Sequence, residues 1–133
     1  MPPTYEPSSP TEAYKAIIDQ LVEQTSGVGE KLIREEGIFS RAAGATVENE
    51  FVKSLTAEQR TLLAQMILDE RVSAIGMVLA NLTWWLMCRD VGLTFRGKPM
   101  PFELSGMGIH GDYLGRLNHW EWPEDPSGGT AET

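Results

Sequence analysis

Apolar residues recur at helical spacing along this chain as far as Asp90, after which the pattern stops. Ala13, Ile17 and Leu21, with Tyr14, Ile18 and Val22 one step round, form a broad stripe that predicts a first helix from Thr11 to Thr25. Thr11 can cap it, with Glu12 at its positive end. Gly27 is a plausible stop. A shorter helix is expected from Val28 to Glu36, burying Leu32 and Ile33 and ending at Gly37. The segment IFSRAAGA reads as a turn of helix plus loop. Thr46 then opens a helix carrying Val47, Phe51 and Leu55. Thr56 followed by Gln59 matches a capping box and marks a new start, with Leu62, Leu63, Met66 and Ile67 inward.

The stretch from Val72 to Cys88, VSAIGMVLANLTWWLMC, carries no charge and is apolar nearly all round. Ile75, Val78, Leu79, Leu82, Trp85 and Leu86 share one side; Met77, Ala80, Trp84 and Met87 occupy the other. A helix of this kind must be covered on every side, by its own domain or by a second copy. It is expected to be the central helix of the fold. Continuing the preceding phase would carry Glu70 or Arg71 into the core. Either the chain bends near Asp69 to Arg71, or those charges pair beneath the surface. The cost of an unpaired buried charge favours the bend.

Beyond Asp90, Gly, Pro and aromatic residues take over. Gly92-Leu-Thr-Phe and Met100-Pro-Phe-Glu flank Arg96-Gly-Lys, which suits a short hairpin kept to an edge by Pro99 and Pro101. A helical turn or two is expected around Asp112 to Leu117, with Trp120 and Trp122 extended across the helices. The resulting fold class is all-α: a compact bundle of about five helices around a central apolar one. Its Gly-, Pro- and aromatic-rich carboxy-terminal segment can hold a β-hairpin. Residues 1–10 read as a disordered arm, 11–123 as a single helical domain and 124–133 as a disordered tail.

Composition narrows the partners. The net charge of −8 repels nucleic-acid phosphates and anionic lipid, so neither nucleic acid nor a membrane surface is expected. Val72 to Cys88 rises about 25 Å as a helix, short of the roughly 30 Å hydrocarbon layer. The only cysteine, Cys88, permits no intrachain disulfide, which fits a cytoplasmic location. The amino terminus shows no basic region followed by an apolar run.

Candidate chemistry gathers in the last third. Gly106-Met-Gly108-Ile-His-Gly111 fits GxGxxG literally, but the strand and long helix of a dinucleotide site are missing. Glycines before a short helix could hold a small anion, or could simply let the chain turn against the tryptophans. His110 and Asp112 are the candidate catalytic pair, since a carboxylate can orient and charge an imidazole. The structural alternative has Asp112 capping the helix and His110 bonded to a carbonyl. His119, Glu103 or Cys88 could complete a zinc set, yet the spacing matches no established pattern, and neither metal nor cofactor is expected. Trp84, Trp85, Arg89 and Arg116 are candidate binders of a small anionic, partly apolar ligand; Arg71, Arg89 and Arg116 could instead make structural ion pairs.

The runs TWWLMCRDVGLTF, SGMGIHGDYLGR and WEWPE resemble small bacterial proteins of unknown function, a likeness confined to the carboxy-terminal half that implies no activity. Taken together, the sequence reads as a helical domain acting by self-association, as a homodimer, and by binding. The alternative is a small enzyme or ligand-binding protein with a pocket near Trp84, Trp85, His110, Asp112 and Arg116.

Overall fold

The computed structural model describes residues 6–124; of the expected disordered arm (1–10) and tail (124–133), residues 1–5 and 125–133 lie outside the described residues. Among the described residues five α-helices occur in chain order: α1 (Pro10–Thr25), α2 (Val28–Lys31), α3 (Thr46–Lys53), α4 (Ala57–Cys88) and α5 (Gly108–Leu117). A π-helical turn, Leu32–Glu36, continues α2, and a short hairpin of β1 (Thr94–Phe95) and β2 (Lys98–Pro99) precedes α5. The chain is thus mainly helical with one small antiparallel sheet. The described residues divide into two compact units, one of residues 6–22 with 76–124, the other of Glu23–Ile75.

In the Glu23–Ile75 unit the core is Ile33, Val52 and Ala64, with Leu63 and Ile67 packed against it. Leu32 and Ile33 are buried as their spacing predicts. Gly37 ends the π-helical turn in the left-handed conformation (φ 69°), its N–H donating to the Leu32 carbonyl. The capping box is formed in both directions: Gln59 N–H donates to Thr56 Oγ1 at 3.1 Å, and Thr56 N–H to Gln59 Oε1 at 2.9 Å. Of the four residues expected to face inward from α4, only Leu63 and Ile67 do so; Leu62 and Met66 are more than half exposed.

The expected bend at Asp69 to Arg71 is absent, and α4 runs unbroken for 32 residues. The reason is pairing. Arg71 donates to the Thr25 carbonyl at 2.7 Å and to Glu30 Oε2 at 3.0 Å, while Ser26 donates to the other oxygen of that carboxylate at 3.1 Å. Gly27 and Gly29 make room, because a Cβ on either would lie 2.7 or 3.1 Å from a guanidinium nitrogen. Glu70 points to solvent.

In the other unit, α1 begins two residues earlier than a cap at Thr11 would set it. Ser9, not Thr11, caps it, accepting from Glu12 N–H at 3.1 Å. Pro10 takes the first helical position, where a missing N–H costs nothing. Tyr14, Ile18, Leu79, Leu86, Ile109 and Tyr113 are buried here. The hairpin pairs Thr94 with Pro99 and Phe95 with Lys98. Arg96 (φ 52°) and Gly97 (φ 80°) both take the left-handed conformation, as a two-residue type I′ turn requires.

The expectation that the Val72–Cys88 stretch is covered all round does not hold in the single chain. Met77, Val78 and Met87 are 60–70% exposed, and Trp84 and Trp85 are each 45% exposed. One side of the uncharged stretch is packed, through Leu79, Thr83 and Leu86, and the other faces water.

Candidate functional site

The glycine-rich run does not form a nucleotide loop. It opens α5, which starts at Gly108, four residues before the expected Asp112. Gly106 and Gly108 both have positive φ (85° and 81°), which only glycine adopts without strain. A Cβ at Gly108 would also lie 2.8 Å from atoms of His110 and Thr83.

The first N–H groups of α5, which could have received an anion, already have partners. Gly108 N–H donates to Glu103 Oε1 at 2.8 Å, and Ile109 N–H to Thr83 Oγ1 at 3.0 Å. Thr83 in turn donates to the Leu79 carbonyl at 2.8 Å, so one hydroxyl ties α4 to the start of α5.

Asp112 is fully buried inside α5 and does not cap it. Its carboxylate accepts from Leu104 N–H at 2.7 Å, Ser105 N–H at 2.8 Å and the Tyr14 hydroxyl. The group therefore fastens the preceding loop and α1 to α5. Burial, the hydrogen bond to Asp112 and the negative charges of Asp112 and Glu103 hold the Tyr14 phenol well above the usual tyrosine range.

His110 and Asp112 stand two apart on one helix, a spacing that sends their side chains in different directions. His110 Nδ1 is buried and meets no hydrogen-bond partner among the described residues. His119 is exposed, with a left-handed backbone (φ 67°) beyond the end of α5. Among the described residues no three His, Cys, Asp or Glu side chains gather where they could hold a metal ion.

Arg116 is bound into a second junction. It donates to Asp19 Oδ1 at 2.7 Å and to the Trp120 carbonyl at 2.7 Å, and its guanidinium lies 5.0 Å from the ring centre of Trp122. The Trp122 indole N–H donates to the other Asp19 oxygen at 3.0 Å. Trp120 packs against Gly115 and edge-on to Trp122, which itself meets Tyr14 edge-on. Trp120 is thereby tied to α5 and Trp122 to α1. Trp84 and Trp85 stand edge-to-face at 5.4 Å on α4, with Arg89 over Trp84 at 5.0 Å. Neither of two sizeable surface cavities, of about 350 and 320 Å³, is lined by Trp84, Trp85, His110, Asp112 or Arg116.

Tyr14, Asp19, Thr83 and Glu103 complete these junctions, and none stands out in the sequence. Tyr14 sits in an ordinary apolar stripe, and its partner lies 98 residues away.

A family model matches residues 7–124, all but the first of the described residues. The chain belongs to DUF6547, a family of unknown function. The DUF6547 match takes in α1 through Trp122, so it extends well beyond the carboxy-terminal runs that carry the likeness seen in the sequence. Neither the curated proteins nor the solved structures contain a match to the chain. Among the described residues no helix is long and apolar enough to cross a membrane.

Proposed function

We propose that this DUF6547 chain works as a cytoplasmic homodimer, the outward face of α4 from Gly76 to Cys88 lying against the same face of a second copy, and that it acts by binding rather than by catalysis. The observation that carries this reading is the exposure of Met77, Val78, Trp84, Trp85 and Met87 on a stretch without a single charge. Scattered exposed apolar residues are normal, but a continuous uncharged face with two tryptophans has the composition of an interface core. An isologous contact places an uncharged surface against its equal, so no charge is buried unpaired. Covering each of these side chains contributes about 1–2 kcal/mol, against the several kcal/mol lost in association.

The competing pocket near Trp84, Trp85, His110, Asp112 and Arg116 has less support, since Asp112 and Arg116 are already engaged by structural partners. A cytoplasmic setting suits a chain whose one cysteine is free.

Light scattering on the purified chain tests the pairing. The expected mass at tens of micromolar is twice 14.7 kDa, and Met77→Lys returns it to 14.7 kDa with helicity unchanged. Added salt should strengthen the pairing, because each copy carries −8 and the repulsion is screened. A wild-type mass of 14.7 kDa across that range would refute the proposal.

A further inference from the structure

A second apolar surface lies within the Glu23–Ile75 unit, where α3 and the first half of α4 form the walls of a groove of about 350 Å³. Phe39, Val47, Phe51, Leu63 and Ile67 line it, Val52 of the core forms part of its floor, and Glu48 is the one polar residue in the lining. We propose that this groove receives an amphipathic helix of another protein, one that lays an apolar stripe between α3 and α4 and presents lysine or arginine to Glu48 and the acidic surface of these helices.

Shape selects a helix. The walls are set by residues four apart on each side, Val47 and Phe51 on α3, Leu63 and Ile67 on α4, which is the spacing of ridges that accept a third helix. A strand would need a free sheet edge, and both walls are helices whose backbone groups are already bonded along their length. The rim is too open for a small molecule to be enclosed: Val47, Phe51 and Phe39 are 76%, 58% and 44% exposed, and Leu62 and Met66 extend the apolar surface along α4.

Charge selects the partner. Glu48 is the one charged residue in the groove lining, and α3 and the part of α4 before Val72 also expose Glu50, Glu58, Asp69 and Glu70, against exposed Lys53 and the half-buried Arg60 and Arg71. Glu48 makes no ion pair among the described residues. A second copy, itself carrying −8, suits this rim less well than a basic segment does.

The groove is also held open. Asn49 Oδ1 accepts from Phe39 N–H at 2.8 Å and Ser40 N–H at 3.0 Å, while its amide donates to the Ser40 carbonyl at 2.8 Å. These three bonds fix the Phe39 loop to α3, so little ordering remains for the bound state to supply.

The test uses the full chain and a fluorescein-labelled synthetic peptide of about 18 residues, long enough for five helical turns. The peptide carries leucines at i, i+3, i+4, i+7 spacing and lysines on its other face. Anisotropy at low salt should show saturable binding with Kd on the order of 10–100 µM, weakening as salt is added. Phe51→Glu should weaken binding by roughly tenfold or more, and Glu48→Lys by several-fold. Both side chains are exposed, so circular dichroism should show either variant folded. A peptide with glutamates in place of lysines should bind at least about tenfold more weakly. The proposal is overturned by the absence of binding at roughly 100 µM, by equal affinity for the glutamate peptide, or by unchanged affinity in Phe51→Glu. It is equally overturned if Met77→Lys removes the binding, or if Phe51→Glu halves the mass of the chain, which would make the groove a contact between copies.

Discussion

Replacing Asp112 by alanine removes one carboxylate and strands three donors: the Tyr14 hydroxyl, Leu104 N–H and Ser105 N–H. Asp112 and Tyr14 are 0% and 2% exposed, so water cannot take over at the centre of the network without local opening. A buried donor left without an acceptor costs about 1–3 kcal/mol, and allowing for partial relaxation the three together cost about 4 kcal/mol. That is a large share of the roughly 5–15 kcal/mol by which a domain of this size is stable. The expected fall in Tm is about 15 °C. Thermal melting followed by circular dichroism measures that fall and urea unfolding the free-energy loss, with Asp112→Asn as an intermediate case that keeps one acceptor oxygen. A double-mutant cycle with Tyr14→Phe should return a coupling of about 1–3 kcal/mol, because the two groups share one bond. A loss below about 1 kcal/mol for Asp112→Ala would refute this account and revive Asp112 as a group kept for chemistry.

Tyr14 also makes stability depend on alkaline pH. Its folded pKa is raised above the unfolded value near 10.0, so the contribution is complete below about pH 10. It is lost as pH rises further, by about 1.4 kcal/mol per unit, since only the unfolded state then releases the proton. Tyr14→Phe should remove that slope in denaturant titrations from pH 9 to 11. In the other unit, Arg71→Met leaves Glu30, whose side chain is 2% exposed, without its cation. Equilibrium unfolding should record a loss of about 3 kcal/mol, while Glu30→Gln with Arg71→Met together should lose less than the single change. Gly108→Ala combines a positive φ with contacts of 2.8 Å and should cost about 2 kcal/mol by the same measurement.

The local features of the fold are the ones the sequence announces. Thr56 and Gln59 sit three apart, and both bonds of their capping box form. Gly37 ends a helix, and Arg96-Gly97 makes the hairpin turn, because each depends only on neighbouring residues. The helix start falls at Ser9 rather than at the expected Thr11, which looks as suitable when the apolar stripe alone is considered; Pro10 at the first helical position is the signal that separates them.

What pairs over long distance was hidden. Arg71 at mid-helix looks like a reason to bend the chain, until Thr25 and Glu30 supply its acceptors from more than forty residues away. The same holds for the candidate site. His110, Asp112 and Arg116 attract attention as titratable groups near glycines and tryptophans, but their surroundings are decided by Tyr14 and Asp19 in α1. Nothing in α1 marks those two as partners. The sequence identifies Val72–Cys88 as apolar nearly all round, yet not which of its sides the rest of the chain packs against.

The most direct test of the pairing along α4 uses its one exposed cysteine, Cys88, at the helix end. A nitroxide attached there reports the distance between two copies by pulsed dipolar spectroscopy. With the Gly76–Cys88 faces in contact, parallel or antiparallel helices alike keep the labels within about 30 Å. The predicted result is a strong dipolar oscillation in that range, abolished by Met77→Lys. A wild-type trace without dipolar modulation, at a concentration where light scattering is also recorded, would contradict it.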